Sequence, residues 1–396
     1  MRNYHSIFVF VLFTELIFYP IVFIADYGLT LNTGSSFWLR FFYIFYFLWA
    51  TLYILQKAKL KITNLSLLLI LFFAVGVIRG LGFGNLNGAF LSHCFYLLMP
   101  VVMISYGVSF FYAYEASAKL RQQLKTTMKW AFLFGILAVV MFTSLVKGGY
   151  ARYDAIDIWN TLLGGPFFFS RGTGLGPLSL TGFFTVVAGK RGLIISFLAA
   201  FLLYLYLKGR SAPMIIVLAV LVLVIVLQSS LEELSGIVRM QRSIASLEGG
   251  DLGSASAGRW LESAAAIEQL NKSVLNWIFG AGFGARFFPY KDVPGAEDYV
   301  THYTHFSFIS YIWIGGLLLS ISVYTYLLHL LASIIMGMKK RIIPLGYSFL
   351  GYWLIIFIVT SLFGAILMNN AFIWFVVGMC EGMRSSYSSA RKRYSG

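Results

Sequence analysis

Arginines and histidines gathered at a water interface of an otherwise apolar chain can bind an anion and take up a proton. Such residues collect in the second half of this sequence. After the apolar run ending near Gln228 the chain turns polar at Ser229 and stays so until His302. Arg239, Arg242 and Arg259 lie in that stretch, with the glycine-rich turn Gly280-Ala281-Gly282-Phe283-Gly284, and His302 and His305 stand at the threshold of the next apolar run. A guanidinium is a fixed fork of donors that suits diphosphate oxygens. Neutral imidazole is the side chain best placed to accept a hydroxyl proton near neutral pH.

Each candidate has a plainer reading beside the chemical one. Lys190-Arg191-Gly192 begins a span. It reads either as a snorkelling pair at the interface or as an anion site, with Arg191 the better ligand of the two. Gly258-Arg259-Trp260 opens a helix, where Arg259 either binds an anion or pairs with Glu262 one turn on. The spacing of His302 and His305 puts both on one helix face, so either can be the proton acceptor or an interfacial structural histidine. A metal would need further ligands, and no acidic or cysteine cluster stands beside them, so neither metal nor cofactor is expected. Arg171 lies in a polar loop with Arg152, Asp154, Asp157 and Ser170. Arg171 and Arg242 each begin an arginine-to-glycine spacing, ending at Gly182 and Gly253, but with 38 glycines such matches arise by chance. His302, Arg171, Arg242 and Lys190 are therefore secondary candidates. Glu15, inside the first span, reads as a structural hydrogen-bond partner.

The elements that must position these groups are membrane helices. The chain is 59% hydrophobic and 11% charged over 396 residues, and apolar runs long enough to cross a bilayer recur along it. The first of them, 6–25, has no small-residue cleavage pattern after it and reads as a span rather than a detachable signal. Cys94 and Cys380 both sit in apolar runs, so no disulfide framework or zinc site is implied. The net charge of +15 comes from short breaks between spans: 17 of the 30 basic residues lie there and in the termini, with Glu115 and Glu381 the only acids among them. That is the signature of cytoplasmic loops, not of nucleic-acid binding.

Spans are expected at 6–25, 36–56, 62–78, 89–114, 130–146, 193–207, 212–228, 302–331, 343–363 and 367–383. The fold class is an all-α polytopic membrane protein of about 10–12 transmembrane helices with a long loop on the outer face, which the resemblance given below makes periplasmic. Five regions follow: N-terminal spans at 1–146, a loop with a re-entrant or short span at 147–192, a transmembrane pair at 193–228, the long loop at 229–301, and C-terminal spans with a basic cytoplasmic tail at 302–396. Residues 176–189 are apolar but short. They either dip in and return or imply a further crossing in 147–175, and irregular backbone at that depth is tolerated where it lines a cavity. Within the long loop, amphipathic helices are expected at 231–247 and 259–270. The latter would carry Trp260, Ala264, Ile267 and Leu270 on one stripe, with Arg259, Glu262 and Glu268 off it.

Taken in order, Gly189-Lys190-Arg191-Gly192-Leu193 at the start of a span, Gly258-Arg259-Trp260, the run Phe279–Gly284, and His305 followed eleven residues later by Gly316 carry a resemblance. Over 185–320 the chain resembles the core domain of the bacterial O-antigen polymerase and O-antigen ligase superfamily. The resemblance implies a GT-C-like helical bundle in the bacterial inner membrane with its active site facing the periplasm. It implies an undecaprenyl-diphosphate-linked oligosaccharide as donor, membrane lipid around it and a chain-length regulator protein as a further partner. Arg191 and Arg259 would hold the diphosphate and His305 would activate the acceptor hydroxyl. Where the family often has Asn after this histidine, the chain has Phe306, which leaves His302 as an alternative; the spacing to Gly316 favours His305. Polymerase is preferred to ligase, and a lipid-linked oligosaccharide flippase is the competing class.

Overall fold

The computed structural model describes residues 2–28, 35–57, 60–147, 163–167, 176–188, 191–209, 259–289 and 299–394. Apart from one isolated bridge between Phe287 and Thr301, its secondary structure there is helical. This is what lipid demands of a chain so apolar, because a helix satisfies its own backbone polar groups. The elements are α1 (Arg2–Gly28), α2 (Ser35–Lys57), α3 (Asn64–Gly82), α4 (Gly88–Ala116), α5 (Ala118–Lys147), α6 (Gly176–Ala188), α7 (Arg191–Leu207), α8 (Arg259–Leu270), α9 (Val274–Phe279), α10 (Ser307–Lys339), α11 (Ser348–Ser361), α12 (Ile366–Asn369) and α13 (Ala371–Tyr394). Among the described residues, five stretches are long and apolar enough to cross a bilayer: Tyr4–Val22, Asn64–Gly82, Gly88–Ala116, Ala118–Met141 and Ser307–Lys339. The protein is an all-α polytopic membrane protein.

The core is built on α4, whose most extensive partner is α13. A Cβ on Gly107 would lie 2.2 Å from the carbonyl oxygen of Phe375, and one on Gly378 would lie 2.2 Å from that of Ile104. The backbones touch through these two residues. Gly378 and Gly382 form the small-residue spacing that lets membrane helices approach this closely. Around the seam lie fully buried rings, among them Tyr106, Phe110, Trp353 and Trp374. Glu15 is buried too, and the Tyr46 hydroxyl donates to its carboxylate, as expected of a carboxylate inside a span.

Two expected elements differ. The span expected at 302–331 starts later, at Ser307, and breaks at Gly316, where φ is 83° and ψ is 176°. The segment before the break folds back on the one after it: Ser320 Oγ donates to the carbonyl of Phe308 at 2.9 Å, and the rings of Phe308 and Tyr324 lie 5.4 Å apart. The helix cannot run straight because the carbonyl oxygen of Ile278, at the end of α9, occupies the place of a side chain on Gly316, 1.9 Å from where a Cβ would be. The span expected at 367–383 begins at Ala371 and its helix continues through the basic residues to Tyr394. Residues 176–188 form α6, and a Cβ on Gly182 would lie 2.9 Å from the ring of Phe197 in α7. The helices expected at 212–228 and 231–247 lie outside the described residues.

The bundle has two unlike ends. At one, Lys57 sits over Tyr4, Lys61 over Tyr112 and Lys339 over Tyr206, while Ser6 of α1 bonds Gln123 of α5 and Ser386 of α13 bonds Glu115 of α4. The basic breaks therefore share an end. The turn between α3 and α4, the segment 259–289 and the start of α10 share the other.

Candidate functional site

The loop between α11 and α12, 362–365, gathers the segments that carry the expected site residues. Arg259, the first residue of α8, donates from its guanidinium to the carbonyl of Phe363. Gly192, the second residue of α7, packs against the Phe363 side chain so closely that a Cβ there would lie 2.8 Å from the Cβ of Phe363. Ser307, the first residue of α10, donates from Oγ to the carbonyl of Gly364 at 2.7 Å and accepts from the Leu367 N–H at 3.2 Å. Arg191 opens α7 beside Gly192. The N-terminal ends of α7, α8 and α10 thus meet on one loop. A helix N-terminus presents N–H groups with no partner inside the helix and a partial positive charge, which favours an anion.

His305 stands at the edge of this cluster. Its ring Nδ1 lies 2.6 Å from Oε2 of Glu262, and its backbone N–H donates to the same oxygen at 3.0 Å. The Glu262 side chain is 5% exposed and that of His305 is 48% exposed. Among the described residues Nε2 of His305 has no hydrogen-bond partner. A carboxylate accepts, so Nδ1 carries the proton in the neutral ring, and the lone pair of Nε2 is left to accept one. Glu262 was expected off the apolar stripe of its helix. Instead it lies on the buried face with Ser263, Ala266 and Leu270, while Trp260 is exposed. Its two hydrogen bonds to His305 offset the cost of taking the carboxylate out of water.

His302 is placed differently. The two histidines do not share a helix face, because α10 begins only after both. The His302 ring stacks on Tyr96 at 6.3 Å, 8° from parallel, and lies 5.4 Å from the His93 ring and 5.1 Å from that of Tyr303. Among the described residues its buried Nε2 has no hydrogen-bond partner. Burial, then the nearby charge of Arg286, holds its pKa below the ordinary 6.5. Burial also raises the phenol of Tyr303, helped by Tyr299 and Glu262 and opposed by Arg40. Among the described residues no group of three His, Cys, Asp or Glu side chains could hold a metal ion.

The glycine-rich turn cradles no anion. Gly280 N–H donates to Asn276, Ala281 to Trp313, Phe283 to Gly76, and Gly284 to Nδ1 of His93 at 3.1 Å. The positive φ angles of Gly280, Gly282 and Gly284 (77°, 87° and 79°) let the chain fold tightly enough to drive Phe283 between α3 and α4. The turn is a plug. His93 completes it: Nε2 donates to the carbonyl of His302 at 2.9 Å, so this imidazole tethers the turn to the site loop.

No protein-family model, curated protein or solved structure matches the chain. The site rests on its own geometry.

Of the expected residues, Arg259 and His305 are linked through α8 by Glu262, and Arg191 precedes Gly192, which packs on the same Phe363 that Arg259 bonds. His302 belongs to a neighbouring aromatic cluster. Arg171, Lys190 and Arg242 lie outside the described residues. Sequence reading missed Glu262 as the partner of His305, and it missed Arg79. The Arg79 guanidinium donates to Oδ1 of Asn276 at 2.9 Å and to the carbonyl of Gly280 at 3.0 Å, clamping α9 and the plug to α3. An arginine near the end of a span was a visible signal for it. Nothing in the local sequence linked Glu262 to a residue 43 positions away.

Proposed function

We propose that the protein is a surface-polysaccharide polymerase. It joins undecaprenyl-diphosphate-linked oligosaccharide repeat units at the periplasmic face of a bacterial inner membrane. The observation that carries this reading is a half-exposed imidazole, held by a buried carboxylate, beside an arginine at three converging helix N-termini. An acceptor sugar hydroxyl gives its proton to Nε2 of His305 and attacks the anomeric carbon of the donor sugar. The bond from that carbon to the diphosphate oxygen breaks, and undecaprenyl diphosphate leaves. Arg259 and Arg191, with the helix N-termini, stabilise the charge that grows on the leaving oxygen. Attack opposite the leaving group inverts the anomeric carbon. Cationic donors can do this without a metal, and the basic end of the bundle is assigned to the cytoplasm.

Reconstitution with a lipid-diphosphate repeat unit as sole substrate tests the reading. A glycan ladder should appear, persist in a chelator, and fall by about 10²-fold or more in Arg259→Ala and in His305→Ala. Normal ladders from both variants would overturn the site. Product formed only when lipid A-core is added would make the protein a ligase, whose local chemistry is the same. Movement of labelled lipid across the bilayer without glycan growth would make it a flippase.

A further inference from the structure

We infer that Glu262 is the positioning residue for His305, fixing the imidazole in the tautomer that leaves Nε2 as proton acceptor; this rests on the reading of His305 as the base. The geometry is not that of a chance surface pair. One oxygen of a nearly buried carboxylate takes both the backbone N–H and the ring Nδ1–H of the same residue. The first bond fixes where the backbone of His305 sits, and the second fixes how its ring is turned. Losing either bond alone would leave Nε2 free to wander. When Nε2 takes the proton the ring becomes a cation, and the carboxylate already in place stabilises it without rearrangement.

The placement of Glu262 on α8 adds a second argument. It follows Arg259 by one helical turn, a rise of about 4.5 Å. The same helix therefore carries the cation beside the Phe363 loop and the carboxylate that orients the base. Because a helix is rigid over one turn, α8 sets the separation between Arg259 and the carboxylate that holds His305. Ser263 Oγ donates back to the carbonyl of Arg259 at 3.1 Å within that turn.

The test combines kinetics with a readout that needs no turnover. Glu262→Gln keeps an amide oxygen for the backbone N–H but loses the charge; Glu262→Ala loses both. In full-length protein in nanodiscs, Glu262→Gln should lower kcat for chain growth by about 10²-fold while KM for the lipid-linked donor changes less than about threefold. In protein labelled with ¹⁵N-histidine, with His305 assigned by comparison with His305→Gln, the wild-type ring should carry its proton on Nδ1. Glu262→Ala should move it to Nε2. Unchanged kcat in both Glu262 variants, or an unchanged ¹⁵N pattern in Glu262→Ala, overturns the inference. A donor KM that rises with kcat intact would make Glu262 a binding residue and overturns it too. If the tautomer shifts as expected but His305→Gln grows chains at the wild-type rate, it is the reading of His305 as the base that fails.

Discussion

The ring of Phe283 occupies the place a side chain on Gly76 would need. A Cβ on Gly76 would lie 2.1 Å from the nearest ring atom, and the Phe283 N–H donates to the Gly76 carbonyl at 3.2 Å. The ring is fully buried, with Phe73, Phe90 and His93 at 5.7, 5.9 and 6.0 Å. The plug is therefore a lock between the long loop and α3 and α4. Phe283→Ala should cost about 3–5 kcal/mol, read as a lower unfolding midpoint in detergent. Gly76→Leu should also destabilise, and less so in the Phe283→Ala background, where the new side chain has room. Additive effects in that double-mutant cycle would mean the two residues do not compete for one space.

His302 offers a pH test with a definite sign. Burial first, and then Arg286, keeps its folded pKa below the 6.5 of the unfolded chain. Above 6.5 the ring is neutral in both states and costs nothing. As pH falls below 6.5 toward the folded value, the unfolded chain binds the proton first, so stability is lost. The unfolding midpoint should drop over that window, and drop less in His302→Phe, which keeps a ring against Tyr96. Arg286→Gln should raise the His302 titration midpoint seen by NMR. A midpoint above 6.5 in the wild type would contradict the burial of this ring.

Much of the frame was legible because lipid leaves few choices. Apolar runs marked α1 to α5, α7 and α11, and the 3.6-residue pattern marked α8 as 259–270, the bounds it has. What escaped was whatever depended on a partner distant in sequence. Periodicity on α8 put Trp260 and Ala264, both exposed, on the inner stripe with Leu270 and left Glu262 off it, while His305 draws that carboxylate inside. The run after His302 is apolar enough to read as one straight helix. Its break at Gly316 is forced by the carbonyl of Ile278, which no local pattern announces. A glycine-rich turn with positive φ can serve either as a tight turn or as an anion cradle, and its sequence does not choose between them. Only the acceptors of its N–H groups, on α3, α4, α9 and α10, distinguish a plug from a cradle.

The sidedness of the bundle can be read directly. Leu86 is 68% exposed in the turn between α3 and α4, whose Asn87 side chain donates to the carbonyl of Gly284 and so shares the end of the candidate site. Lys340 is exposed at the other end, where Lys57, Lys61 and Lys339 also lie. Cations near span ends are retained on the cytoplasmic side, so Leu86 should face the periplasm. Both native cysteines are free and can be replaced with alanine before a single new one is introduced. In spheroplasts, Leu86→Cys should react with a membrane-impermeant maleimide, and Lys340→Cys only after permeabilisation. The reverse pattern would put His305 and Arg259 in the cytoplasm. A donor already carried to the outer leaflet could not then reach them, and glycan growth at this site would be excluded however well the residues align.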